Sequence, residues 1–93
     1  MLFAIYMLDK PDSAELRAQT GKSHAAYMAA NEKGIRMGGP LYADDHKTMI
    51  GSVVINDFTN RSAAEEFISN ESFNKAGLFE TVLINPFGAF VDK

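Results

Sequence analysis

Ninety-three residues make one domain, and an apolar fraction of 46% belongs to a globular chain and not to a disordered one. A net charge of −3 with no cluster of Lys or Arg argues against nucleic acid and membrane surfaces as partners. There is no cysteine, so disulfides, thiolate nucleophiles and Cys-type zinc sites are excluded.

The run Leu2-Phe3-Ala4-Ile5-Tyr6-Met7-Leu8 predicts a strand that ends at Asp9. It is apolar at both alternating sets of positions, and strands of that kind are covered on both faces. Helices can cover one face. So short a chain buries a modest share of its surface, and a second copy is expected to cover the other. The run has no basic residues before it and is too short for a signal peptide or a bilayer span, so a cytoplasmic protein is expected.

Pro11-Asp12-Ser13 predicts a stop and a helix start. Residues 14–18 predict a short helical turn, broken at Gly21, with Thr20 as a second cap. Residues 21–33 then predict the main helix, with His24 near its start and Gly34 closing it. Residues 35–41 predict a short strand carrying Gly38-Gly39-Pro40, where the backbone bends or comes close to something. Asp44-Asp45-His46-Lys47 reads as a polar turn, and residues 48–58 as a third strand. Asn60-Arg61-Ser62 opens a second helix, with Ser62 and Glu65 as a capping box and Phe67 and Ile68 on its apolar side. Asn70-Glu71-Ser72 breaks that helix, and a turn with Phe73 and Ala76 ends at Gly77. Residues 81–84 predict the last strand, with Pro86 marking an edge or bulge; Phe87 to Val91 extend it or reach a partner. The order βαββαβ predicts an α+β, ferredoxin-like fold: a four-stranded antiparallel sheet with both helices on one face.

Asp9 and His24 are the leading candidates for chemistry. A carboxylate at a strand end and an imidazole at the head of the next helix can meet at one sheet edge, and a carboxylate that orients a histidine builds a general base. The plainer alternative is a structural hydrogen bond between them. Arg17 is a candidate to hold a substrate carboxylate through its fork of donors, or else to pair with Glu15 or Asp12. Tyr6 and Ser72 are candidate donors to a ligand, or a packed strand residue and a helix cap. Gly39 and Pro40 leave room for a pocket, but lack the context of a phosphate loop. Asp44, Asp45 and His46 are consecutive in a turn and cannot converge on one ion, so no metal is expected. No serine sits in a nucleophile elbow.

The ordered set of Asp9, Arg17, His24, Gly38-Gly39-Pro40 and Gly51, followed by Ser72-Phe73-Asn74-Lys75-Ala76-Gly77-Leu78, Phe79-Glu80 and the closing Val82 to Pro86-Phe87, resembles the YCII-related (YciI-like) family. The resemblance implies a dimeric α/β barrel, with two sheets packed face to face. It also implies an Asp-His active-site pair that maps onto Asp9 and His24. One branch of the family looks like dehydrochlorinases of aromatic degradation. The family often has Asp-Pro before the aromatic of the late motif, and this chain departs from it with Glu71-Ser72.

The function expected on these grounds is that of a small-molecule enzyme. His24, held by Asp9, would move a proton in elimination, isomerisation or lactone chemistry, with no cofactor, because the substrate's own carbonyl or ring stabilises the charge. The alternative is a non-catalytic metabolite-binding or structural dimer. A cofactor-free oxygenase on the same fold is disfavoured, since nothing marks an oxygen-activating site and Trp is absent.

Overall fold

In the computed structural model, which describes residues 1–93, the apolar N-terminal run forms strand β1, Leu2–Asp9. Helix α1, Ala14–Ala30, follows and passes through a single 3-10 turn, Glu32–Gly34, into β2, Ile35–Tyr42. The remaining elements are β3, Met49–Asp57, helix α2, Arg61–Ser69, a one-turn helix α3, Ser72–Lys75, and β4, Phe79–Pro86. The strands lie in the order β2-β3-β1-β4 with every neighbouring pair antiparallel. This is the ferredoxin-like arrangement expected from the element order.

Alternation along β1 divides the sheet. Phe3, Ile5 and Met7 are buried, and Ile5 and Met7 join Val54, Phe67, Ile68, Phe73, Leu78 and Phe79 in one core beneath the helices. Leu2, Ala4, Tyr6 and Leu8 point the other way. Their cross-strand partners on that face include Val53, Ile55 and Leu83. Tyr6, Leu83 and Met37 are exposed, so this face is apolar and uncovered in a single chain.

Two glycines are dictated by geometry. A Cβ at Gly51 would stand 2.2 Å from the Met7 carbonyl oxygen, so only glycine lets β3 lie against β1 there. Gly77 has φ +80 and ends the turn after α3 in the left-handed region. Pro40 sits in β2, an edge strand of the sheet, where a missing N–H is tolerated.

Two expectations about the helices need correction. Gly21 does not break the first helix: α1 runs unbroken for 17 residues, and no atom lies within 4 Å of a Cβ placed on Gly21. An interior glycine costs about 1 kcal/mol relative to alanine, which is less than the cost of ending one helix and nucleating another. His24 is therefore not at the head of a helix but in its third turn. The cap of α2 is Asn60, whose side-chain oxygen accepts from the Ala63 N–H at 2.9 Å; Ser62 lies inside the helix.

Candidate active site

Three elements meet over the helix side of the sheet: α1, the α2–α3 junction and the middle of β3. Arg17 and His24 are seven residues apart on α1, two turns along one face. Arg17 is the only buried residue of that helix. Its Nε donates to Asp9 Oδ2 at 2.7 Å and its Nη2 to Asp9 Oδ1 at 2.9 Å, a bidentate pair with both side chains nearly buried. Nη2 also donates to Ser52 Oγ at 3.2 Å.

His24 finds a different acid. Its Nδ1 contacts Glu71 Oε1 across 47 residues of chain. The other oxygen of Glu71 accepts the backbone N–H groups of Phe73 at 3.0 Å and Asn74 at 3.3 Å, which caps α3. Glu71 is only 2% exposed. A carboxylate that accepts at both oxygens places the hydrogen of the His24 contact on Nδ1 and leaves Nε2 as the ring nitrogen with no protein partner. The imidazole stacks on Phe73, ring centres 4.0 Å apart and 15° from parallel, so packing and hydrogen bonding fix its orientation together. The Arg17 guanidinium carbon lies 4.6 Å from the centre of the same ring.

A cavity of about 350 Å³ opens between these groups and the sheet. Arg17, His24, Ser52 and Glu71 supply its polar wall, and Met7, Met28, Met49, Val54, Phe67 and Phe73 most of its apolar wall. That volume and composition suit a single small ring. Tyr27 is not among the lining residues. Its hydroxyl donates to the Phe67 carbonyl at 2.8 Å. Burial first, and then the charges of Glu71 and Glu66, push its pKa above the ordinary tyrosine value, so it stays a donor.

Of the residues singled out in the sequence, Arg17, His24, Gly39 and Pro40 line this cavity. Asp9 and His24 do not pair with each other. The unbroken α1 places Arg17 within reach of the strand end and carries His24 about 10 Å further along the axis, to Glu71. The fork of Arg17 is filled by Asp9, so that edge of the guanidinium is closed to a substrate carboxylate. Tyr6 lies on the open face of the sheet, on the side away from the helices and cavity, because its neighbours Ile5 and Met7 take the core side. Ser72 is the first residue of α3 and does not line the cavity; its neighbour Glu71 does. Glu71, Ser52 and Phe73 are the residues that sequence reasoning missed. An acid directly before a short helical turn signals an N-cap, but nothing in its spacing points to His24.

Residues 1–88 match the YCII-related domain. The chain belongs to the YCII-related family. Among curated relatives of this YCII-related chain, Protein YciI of Escherichia coli is 32% identical over 94 residues, covering 94% of this chain and 96% of that protein. An uncharacterized protein of Haemophilus influenzae is 28% identical over the same shares. Among solved structures, the 5-chloro-2-hydroxyhydroquinone dehydrochlorinase TftG of Burkholderia phenoliruptrix AC1100, in complex with 2,5-dihydroxybenzoquinone, superposes with a TM-score of 0.88 at 33% identity. The match covers 95% of this chain and 94% of that one. An antibiotic biosynthesis monooxygenase shares the fold alone, with a TM-score of 0.54 at 15% identity, over 96% of this chain and 100% of that one.

Proposed function

We propose that this protein is an enzyme of the lyase or isomerase type, acting on a small oxygenated ring, with His24 as the proton acceptor and Glu71 as the group that orients it. The observation that carries the reading is His24 itself: an imidazole held at Nδ1, free at Nε2 and lining a cavity of about 350 Å³. Glu71 takes the role that the sequence had suggested for Asp9. It fixes the tautomer and balances the charge that the ring gains with the proton.

In an elimination from a chlorinated hydroquinone, the ring first takes its keto form: one hydroxyl becomes a carbonyl and its hydrogen moves to the carbon bearing the leaving group. Nε2 would then take the proton of a second hydroxyl. The electron pair left on that oxygen forms a second carbonyl, the adjoining ring double bond shifts to the carbon bearing the leaving group, and the leaving group departs with its bonding electrons. The proton passes from His24 to solvent, and the products are the quinone and HX. The similarity to the Burkholderia dehydrochlorinase supports this class of reaction and this size of substrate.

We also propose that the working form is a homodimer in which a second copy packs on the open face of the sheet. Exposed Tyr6, Met37 and Leu83 on that face support this, because an uncovered apolar sheet of this kind is rare in a monomer.

The test is chloride release from 5-chloro-2-hydroxyhydroquinone, with 2,5-dihydroxybenzoquinone as the binding probe. The His24→Ala protein is expected to fold, to bind the probe and to lose turnover by about 10²–10⁴-fold. Equal rates for His24→Ala and the unaltered protein would remove His24 as the base.

A further inference from the structure

Ser52 lies near the middle of β3, with its side chain on the helix side of the sheet and only 6% of the residue exposed. Its oxygen accepts the Arg17 Nη2 hydrogen, and its own hydroxyl hydrogen has no acceptor in the protein. Arg17 is in a similar position. Nε and Nη2 are committed to Asp9 and Ser52, whereas the two N–H groups of Nη1 have no partner. Asn56 Oδ1 is the one fully buried side-chain polar atom left without a partner, so Nη1 keeps contact with accessible space. Both residues line the cavity that His24 lines. A buried donor without an acceptor is unfavourable, and donors held ready at a cavity wall are what a developing oxyanion requires.

We propose that the Ser52 hydroxyl and Nη1 of Arg17 form a two-donor cradle for one substrate oxygen, the atom that becomes negative as His24 removes the proton. The proposal rests on the reading of His24 as the base. It deepens that reading by naming where the charge goes and which substrates qualify: rings with an enolic or phenolic hydroxyl whose oxygen turns anionic as its proton leaves. Asp9 acts one step back. It neutralises most of the Arg17 charge and holds the guanidinium so that Nη1 and not the fork is available. A full carboxylate is therefore poorly matched to this wall, and a neutral oxygen that turns anionic during the reaction is well matched.

The cradle has a readout separate from turnover. The 2,5-dihydroxybenzoquinone probe carries acidic hydroxyls whose ionisation changes its visible spectrum. Two donors on one of its oxygens favour the anion, so its ionisation midpoint is expected to fall on binding. Ser52→Ala is expected to raise the bound midpoint by about one to two pH units, the loss of one hydrogen bond to a charged oxygen. It is expected to lower kcat about 10²–10³-fold with little change in KM. Ser52→Thr, which keeps the hydroxyl, is expected to restore both. If Ser52→Ala does not fold, Ser52→Cys offers a weaker donor of similar size, and the same two shifts are expected with smaller amplitude. An unchanged midpoint and kcat in a folded Ser52→Ala or Ser52→Cys protein would overturn the cradle. The spectral shift is also measured in the His24→Ala background. A midpoint that responds to Ser52 while turnover ignores His24 would leave the cradle standing and remove the base.

Discussion

Glu71→Gln separates the two tasks of the buried carboxylate. In the unaltered protein one oxygen accepts two backbone N–H groups of α3 and the other meets His24 Nδ1. A glutamine can keep its carbonyl oxygen on the backbone N–H groups, but its amide then faces Nδ1. Two donors cannot share that contact, so the imidazole must move its hydrogen to Nε2, where the substrate's proton would have to go. Turnover is expected to fall by about 10²–10⁴-fold, the usual worth of a positioned general base. The stability change is smaller. A hydrogen bond to a charged acceptor contributes about 1 kcal/mol more than one to a neutral acceptor, so the two cap bonds lose about 2 kcal/mol together. For a domain of this length that lowers Tm by about 8–16 °C. Glu71→Ala also removes the acceptor and leaves a space in the core, and a loss of about 3 kcal/mol or more is expected. Urea unfolding gives the stabilities, and long-range proton–nitrogen NMR correlations give the tautomer of His24. If Glu71→Gln kept the hydrogen on Nδ1 and worked at the full rate, Glu71 would have no part in orienting the base.

Asp9→Ala leaves the nearly buried Arg17 guanidinium without its partner and is expected to destabilise the fold by about 3–5 kcal/mol, whereas the double variant Asp9→Ala with Arg17→Met loses less; a purely additive result in chemical denaturation would mean that the pair is not coupled. Leu83→Glu puts a charge in the middle of the open sheet face, and sedimentation is expected to show a monomer; a dimer of unchanged affinity would place the partner elsewhere. Asp45 has its pKa lowered, first by the Thr48 hydroxyl, then by the backbone N–H groups of Thr48 and Lys47. A depressed folded-state pKa stabilises the turn above the unfolded aspartate value, and that contribution fades as pH falls through the folded value. Thr48→Val is expected to move the Asp45 midpoint up towards the ordinary value in an NMR titration, and no movement would discount the hydroxyl.

The strands were legible because their signal is local. A run apolar at both alternating positions, a glycine–glycine–proline edge and a proline after the last strand each report on their own segment, and the βαββαβ order follows from them. The cavity wall was legible only in part. Arg17, His24, Gly39 and Pro40 could be singled out by residue type and setting. The partner of His24 could not, because 47 residues separate it from Glu71, and no periodicity reports on a contact made through two helices. The misplaced Asp9–His24 pair began with Gly21. Propensity at one residue predicted a break, and the predicted break put His24 at a helix start beside the strand end. Once α1 runs through, the carboxylate of Asp9 falls to the nearer Arg17. Ser52 was hidden for another reason: in a strand buried on one face, a serine between a glycine and two valines reads as a small residue that fits.

Helix α3 binds the fold and the site into one unit. Four residues have no helical stability of their own, since a single turn is below the length at which propagation offsets nucleation. It stands because Phe73 is 2% exposed and packs edge-on against Phe79, because Glu71 caps its start, and because Gly77 and the Leu78 N–H to Phe73 carbonyl bond close its end. The same Phe73 ring carries His24 at 4.0 Å and the guanidinium carbon of Arg17 at 4.6 Å, and the same Glu71 holds Nδ1. A change that loosens this turn therefore frees the proposed base and one half of the proposed oxygen cradle together. Conversely, a ligand that presses on His24 and Arg17 also presses on α3 through Phe73. Stability of the turn and geometry of the site cannot be varied separately at Phe73, whereas at Ser52, which touches Arg17 from the sheet, they can.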